Sequence, residues 1–159
     1  MSKGEIIPEH AVRFVRAFDA PPEKVWAFLT DSRLLPNWYG EGGIEPRECG
    51  AVTLMGGHVR GVVTGWRPQK FLGYTWNVFA PGETVSAWPV SYLEFHLDGA
   101  ALTLIHRPIP LAMQPQTAMG WHTFLDMIEA GLDGRFPMRG DFFGKNATLY
   151  GVDLNNLKG

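Results

Sequence analysis

Two alternating apolar segments flank the dipeptide Asp98-Gly99, and this pattern constrains the fold more than any other feature of the chain. Asp-Gly between such segments is a strong signal for a β-hairpin with a two-residue turn. Because neighbouring side chains of a strand point to opposite faces, the turn also decides which residues share a face. Residues 90–97 and 100–107 then form one apolar face that ends in a polar pair. The expected pairs on this face are Leu97–Ala100, Phe95–Leu102, Leu93–Leu104 and Ser91–His106.

Gly56-Gly57 is the second two-residue hairpin signal, and it joins predicted strands at residues 50–55 and 58–66. The other predicted strands are residues 11–18 and 71–77. The Gly-Gly turn places five small or apolar residues on one face, namely Val52, Leu54, Val59, Gly61 and Val63. Pairing Trp66 with Phe71 across the next turn sets three further pairs, Val63–Tyr74, Gly61–Trp76 and Gly65–Leu72. Small residues beside large ones either pack tightly or leave room for a ligand.

The longest predicted helix spans about residues 116–133. Its apolar residues recur at steps of three and four and form one stripe: Ala118, Trp121, Phe124, Leu125, Ile128 and Leu132. A short helix is expected at residues 22–29, and a second, capped by Asp31, ends near Pro36. A last short helix follows a cap at Asp141, with Gly151 and Val152 as its C-terminal stop.

Composition narrows the class of protein. The chain has 159 residues, of which 45% are hydrophobic and 19% are charged, as expected for one folded domain. A formal net charge of -2 gives no support for nucleic-acid binding. No apolar run approaches the roughly 20 residues that a membrane span requires, and the N-terminus lacks a signal-peptide pattern. The sequence therefore predicts a cytoplasmic domain, with no metal site because a single cysteine and scattered histidines form no ligand cluster.

Several short motifs resemble one known family. Ordered along the chain, they are Phe18-Asp19-Ala20-Pro21, Val25-Trp26, Leu29-Thr30-Asp31, Leu34-Leu35, Trp38, Leu72-Gly73-Tyr74-Thr75-Trp76, Leu102-Thr103-Leu104-Ile105-His106 and Gly120-Trp121. Together they are similar to the heat-shock ATPase activator homologue-like proteins, of the START-related, birch-pollen-allergen-like superfamily. The tail, with Asn146-Ala147 and residues 150–154, is similar to that of some bacterial members.

The resemblance implies an α+β helix-grip fold. In that fold a curved antiparallel sheet of about seven strands wraps around a long C-terminal helix, and two short helices follow the first strand. A cavity between sheet and helix holds an apolar or amphipathic molecule in many relatives. Residues 1–134 are expected to form this single domain. Residues 135–159 are expected to be a C-terminal extension, and its aromatic residues leave open whether it packs on its own domain or on a partner, as in a homodimer.

Nine residues are candidates for lining the cavity: Trp38, Leu54, Tyr74, Trp76, Ser91, Leu104, His106, Trp121 and Leu125. Aromatic walls with a few polar groups are typical of small-molecule sites, although the same rings also fill ordinary cores. His106 is the one catalytic candidate, as a general base in an apolar pocket. The more common alternative is a structural histidine satisfied by Ser91 or by the backbone. Arg16 either holds a ligand carboxylate or pairs with an acidic residue.

Three functions remain open. The first is binding of a small hydrophobic or amphipathic ligand without a cofactor. The second is a cyclase or hydrolase that uses His106 as base and Tyr74 to orient the substrate. The third, which the resemblance implies, is a module that acts on a chaperone ATPase. None of the standard catalytic motifs, such as a P-loop or a nucleophile elbow, occurs in the sequence.

Overall fold

The computed structural model describes residues 3–7, 10–80, 82–86 and 89–157. The start of the predicted domain, residues 1–2, and the end of the predicted extension, residues 158–159, lie outside the described residues. The described residues contain one antiparallel sheet of eight strands in the order β1-β2-β8-β7-β6-β5-β4-β3. The strands are β1 Glu5–Ile7, β2 Ala11–Ala17, β3 Gly43–Ile44, β4 Ala51–Leu54, β5 Val59–Arg67, β6 Phe71–Val78, β7 Ser91–Asp98 and β8 Ala101–Arg107. The helix-grip prediction is confirmed, and the short edge strands β1 and β3 were not predicted from the sequence.

Three α-helices occur among the described residues: α1 Pro22–Thr30, α2 Gln114–Leu132 and α3 Gly140–Tyr150. Helix α1 begins with Pro22, whose missing amide would have no partner in the first turn. The predicted second short helix, which was expected to end near Pro36, forms as a single 3-10 turn at Leu35–Asn37 rather than as an α-helix. Pro36 lies at the start of that turn, where an amide needs no helical partner, so its missing N–H group is tolerated there. In the interior of a longer α-helix, the same position would require a hydrogen bond that proline cannot donate. None of the described helices has the length and apolar character that crossing a membrane requires.

Helix α2 carries the core. All six residues of its predicted apolar stripe are buried, and so are most inward residues of the central strands, with Gly61 and Trp76 only partly buried. Leu93 and Leu104 are fully buried, and Trp121 is 2% exposed. The period-two and period-3.6 patterns therefore identified the two surfaces that meet in the core.

The β7–β8 turn lies one residue further along the chain than predicted. Asp98 pairs with Ala101, so the two turn residues are Gly99 and Ala100. Gly99 has a φ of 59°, which a glycine at the first turn position adopts without strain. The cross-strand pairs shift by two residues, and His106 lies opposite Leu93 rather than Ser91. A shift of two residues leaves each side chain on its predicted face, because the side chains of a strand alternate between the two faces with a period of two residues.

In the β4–β5 connection the predicted register is correct, but the predicted turn is not. The Gly56-Gly57 prediction of a two-residue turn is wrong, because a 3-10 turn at Met55–Gly57 makes a longer link. The register is nevertheless as expected, with Leu54 opposite Val59 and Val52 opposite Gly61. Between β5 and β6 the Val63–Tyr74 pair is confirmed. A bulge then moves the last pairs by one residue, so Trp66 pairs with Leu72 instead of Phe71.

Helix α3 packs against α2 and ends as predicted. Gly151 has a φ of 68°, and the amide of Val152 donates to the carbonyl of Ala147 at 2.8 Å. This is the Schellman stop. The predicted N-cap at Asp141 is wrong, because the helix starts one residue earlier, at Gly140. The Asp141 carboxylate lies in the first turn, where it accepts from the amide of Met138.

Candidate ligand-binding site

A cavity of about 370 Å³ lies between one end of the sheet and the first half of α2. Strands β6, β7 and β8 supply one wall through Trp76, Ser91 and His106. Helix α2 supplies the opposite wall through Gly120, Trp121 and other residues. The full lining is His58, Trp76, Val78, Pro89, Ser91, His106, Pro108, Ile109, Pro110, Met113, Gln116, Thr117, Gly120, Trp121 and Phe124.

Only part of the predicted site meets in this cavity. Trp76, Ser91, His106 and Trp121 line it. The other five candidates are buried in the solid core and do not line it: Trp38, Leu54, Tyr74, Leu104 and Leu125. The inner face of the sheet is thus mostly filled by side chains, and this cavity lies near the end that carries the polar pair.

His106 is held at both ring nitrogens. Its Nδ1 accepts from the indole Nε1–H of Trp121 at 3.0 Å, and its Nε2 lies 2.7 Å from Oγ of Ser91. An indole N–H can only donate, so Nδ1 carries no hydrogen and the proton of the neutral ring is on Nε2. Nε2–H therefore donates to Ser91 Oγ, which in turn donates to the carbonyl of Trp76 at 3.5 Å. We call Ser91, His106 and Trp121 the neutral cluster.

This arrangement keeps His106 uncharged and fully bonded. Burial lowers its pKa from 6.5 to about 3, because the imidazolium would lose its hydration. A base that activates Ser91 would need a free lone pair on Nε2, yet that nitrogen already carries the proton. The geometry therefore matches the structural alternative, in which the histidine positions Trp121 at the cavity wall.

Aromatic rings surround the neutral cluster. Trp76 and Phe124 each have their ring centroid 5.5 Å from that of Trp121. Behind them the hydroxyl groups of Tyr39 and Tyr74 share a 2.7 Å hydrogen bond. Burial raises the pKa of both tyrosines, so both stay protonated at neutral pH. Tyr74 thus bonds within the core and has no place in the lining that would let it orient a substrate.

Gly120 is a lining residue that the sequence reasoning did not select as a site residue. It lies in the interior of α2, where a glycine is destabilising by roughly 0.5–1 kcal/mol relative to alanine. A Cβ atom built on Gly120 would meet nothing within 4 Å. Close packing therefore does not explain this glycine. The sequence signal that could have identified Gly120 is its position beside Trp121, the tryptophan that faces inward from the helix.

His58 is the second lining residue that was left without a role. Its Nδ1 lies 2.9 Å from the carbonyl oxygen of Phe79, and the amide of Phe79 donates to the carbonyl of His58 at 2.8 Å. These two bonds hold the imidazole at the cavity margin. No local motif marks this residue, because its partner comes from a different strand end.

Arg16 is not in the cavity. It pairs with Asp126 of α2, with Nη1 3.0 Å from Oδ1, and its side chain is 1% exposed. Asn146 of α3 donates to the same carboxylate, and His122 of α2 donates or accepts at the hydroxyl of Tyr150. We call Arg16, His122, Asp126, Asn146 and Tyr150 the charged cluster. The structure thus places Arg16 in the acidic pairing that the sequence left as one of two alternatives.

Solved structures share this fold. CalU16 from Micromonospora echinospora has a TM-score of 0.70 at 22% identity, with 94% of this chain and 92% of that chain covered. PFC0360w, an Hsp90 activator from Plasmodium falciparum, has a TM-score of 0.66 at 19% identity, covering 78% and 96%. DynU16, from the dynemicin biosynthetic locus, has a TM-score of 0.65 at 22% identity, covering 81% and 49%. At these identities the likeness is one of fold.

Sequence comparisons place the chain in a family. No curated protein matches it. The family described as activator of Hsp90 ATPase homolog 1-like protein matches residues 19–133, well over half of the chain. The match spans α1, the sheet from β3 onward and α2, and it includes every residue that lines the cavity. The chain therefore belongs to the activator of Hsp90 ATPase homolog 1-like family.

Proposed function

We propose that this protein binds a small, uncharged and largely apolar molecule in the cavity between the sheet and α2. The cavity volume of about 370 Å³ lies within the range of roughly 300–1,000 Å³ that ligand pockets occupy. Aromatic and aliphatic side chains form most of the wall, and no Asp, Glu, Lys or Arg of the described residues lines it. Family membership fits ligand binding in general and names no ligand.

Gly120 is the observation that carries this proposal. A helix-interior glycine whose added Cβ would meet nothing lowers the stability of the helix without a packing reason, and Gly120 is one of the residues that line the cavity. Gly131 of the same helix has an ordinary packing reason, since its added Cβ would lie 2.6 Å from the ring of Phe28. The contrast supports a role for Gly120 in keeping the cavity open.

The test fills the cavity from Gly120. Naphthalene is the probe, and the indole N–H resonances of Trp76 and Trp121 in ¹⁵N-labelled protein report its binding. Gly120→Leu is expected to weaken binding by more than about tenfold, because the leucine side chain occupies the space of the probe. Gly144→Leu on α3 is the matched control, since its Cβ also meets nothing and it lies outside the lining.

The proposed function fails if naphthalene does not perturb either indole resonance of the unmodified protein. It also fails if Gly120→Leu and Gly144→Leu bind the probe equally well. Native mass spectrometry of the purified protein is the complementary measurement, because it would give the mass of a ligand retained from the cell.

The enzyme alternative receives no support from His106. Both of its nitrogens are bonded within the neutral cluster, and Ser91 and Trp121 would have to move before either became free. If a substrate is found, a large loss of turnover in His106→Asn with unchanged probe binding would favour this alternative again.

The family description favours a second function, stimulation of the Hsp90 ATPase. That function would use the protein surface and would not need the cavity. The ATPase rate of purified Hsp90, measured with and without this protein, tests it directly. An unchanged rate at saturating protein would eliminate it, whereas stimulation that survives Gly120→Leu would separate it from ligand binding.

A further inference from the structure

We propose that the ligand is an uncharged aromatic molecule with a hydroxyl group, and that this hydroxyl donates a hydrogen bond to Nε2 of His58. The inference rests on the proposed function and adds the chemistry of recognition. It assigns a specificity-determining role to a histidine that is separate from the neutral cluster.

The polar side chains of the cavity differ in whether they are already bonded. Ser91 and His106 bond to each other and to their neighbours, so they have little capacity left for a ligand. Gln116 also has an interaction within the protein. Among the described lining residues, Nε2 of His58, Nε1 of Trp76 and Oγ1 of Thr117 are the side-chain nitrogen and oxygen atoms without a protein partner. A ligand group that forms hydrogen bonds would therefore meet these three atoms, and a hydroxyl group can both donate to His58 and accept from the indole N–H of Trp76.

The contacts of His58 decide which role Nε2 plays. A carbonyl oxygen can only accept, so the 2.9 Å contact with Phe79 places the ring proton on Nδ1. Nε2 of the neutral ring is then an acceptor. His58 is exposed, and Phe79 bonds both its ring and its backbone, so the acceptor lies at the solvent-facing margin of the cavity. An acceptor there selects a ligand that donates, such as a phenol.

The remaining wall defines the rest of the ligand. Trp76, Trp121 and Phe124 present ring surfaces, which favour a flat aromatic skeleton. A carboxylate would lose its hydration beside these rings without gaining a partner of opposite charge. The combination predicts an aromatic alcohol rather than an aromatic acid.

Three probes of one size separate these effects: 2-naphthol, 2-methylnaphthalene and 2-naphthoate. Affinities are measured from the Trp76 and Trp121 indole resonances. His58→Phe is expected to weaken 2-naphthol by about fivefold, the size of one net hydrogen bond, and to leave 2-methylnaphthalene within about twofold. His96→Phe is the matched control, because His96 is half-exposed and does not line the cavity. In the unmodified protein, 2-naphthoate should bind more weakly than 2-naphthol by at least about tenfold.

A direct measurement in the unmodified protein complements the variant. With ¹⁵N-labelled histidine, the Nε2 resonance of His58 should move on addition of 2-naphthol and stay in place with 2-methylnaphthalene. Equal losses of both neutral probes in His58→Phe, no loss of either, or an unmoved Nε2 resonance would overturn the assignment while the cavity proposal stands. If no neutral probe binds the unmodified protein, the proposed function fails and this inference fails with it.

Discussion

The neutral cluster and the charged cluster are both buried against α2, but they solve the problem of a buried polar group differently. In the neutral cluster, Trp121, His106, Ser91 and the carbonyl of Trp76 form one chain of hydrogen bonds without a formal charge. The charged cluster brings a guanidinium to a carboxylate. Its bonding is incomplete: Nη1 of Arg16 lies within ion-pair distance of the carboxylate, but neither Nη1 nor Nη2 of Arg16 makes a hydrogen bond, and Oδ1 of Asn146 is also buried without a partner.

The difference follows from what covers each cluster. A neutral, fully bonded group can stand at the wall of an apolar cavity, because it loses little hydration there. A buried ion pair needs further polar groups around it. Helix α3 supplies them through Asn146 and Tyr150, whose hydroxyl also accepts from the amide of Gly4 at 2.6 Å. The charged cluster therefore joins α2, α3 and the N-terminal segment, whereas the neutral cluster borders the proposed ligand.

The largest effect is expected in the charged cluster. Asp126→Ala removes the carboxylate from Arg16 and leaves a buried guanidinium without a counter-ion. Breaking such a pair costs roughly 3–5 kcal/mol of unfolding free energy. Urea unfolding measures it. The control is Asp133→Ala, whose side chain is 74% exposed in its contact with Arg135 and which should change the value by less than about 0.5 kcal/mol. A loss in Asp126→Ala no larger than in the control would show that the ion pair contributes nothing.

The second effect concerns the neutral cluster and pH. His106 has a pKa of about 3 in the folded protein against an ordinary value of 6.5, so the unfolded chain binds more protons between these values. Stability is then fully present above the ordinary value and falls as the pH falls. Between about pH 7 and about pH 4.5 the loss from this residue should be roughly 2–3 kcal/mol. Unfolding curves across this range measure it.

Burial also lowers the pKa of His122, which acts in the same direction. The comparison that isolates His106 is therefore the His106→Asn variant, whose unfolding free energy should depend less steeply on pH than that of the unmodified protein. Parallel pH profiles of the two proteins would contradict an uncharged, buried His106.

The smallest effect contrasts two glycines of α2. Gly120→Ala should raise the unfolding free energy by about 0.5–1 kcal/mol, because alanine favours the helix and meets no neighbour. Gly131→Ala should lower it by about 1 kcal/mol or more, because its Cβ would press on the ring of Phe28. Thermal or urea unfolding of both variants measures the difference. Two changes of the same sign would remove the evidence that Gly120 faces open space.

Much of the fold could be predicted because it depends on local periodicity. The alternation around Asp98-Gly99 identified the buried face correctly, although the turn moved by one residue and the pairs moved by two. The second short helix forms as a 3-10 turn, a type that the sequence did not distinguish because three-residue turns and short α-helices share the same cap and stop residues. The bulge between Val63 and Gly65 has no local signature, so the last pairs of β5 and β6 could not be predicted.

The candidate site was predictable in part. Ser91, His106, Trp76 and Trp121 follow from strand parity and the helical stripe, and all four line the cavity. Parity cannot say where along a buried face the packing stops. From the sequence, Tyr74 and Leu104 were therefore as good candidates for lining the cavity as Trp76 and His106, although they lie in the filled part of the core.

The amino-acid sequence alone determined the face on which each side chain of the hairpins lies and the stripe that α2 buries, because both are set by the geometry of one strand or one helix. Tertiary structure decided everything that needs two distant segments at a known distance. Trp121 imposes the proton position on His106, Phe79 orients His58, and Asp126 rather than a ligand holds Arg16. The cavity beside Gly120 belongs to the same class, since empty space is a property of the surrounding walls and no single residue encodes it.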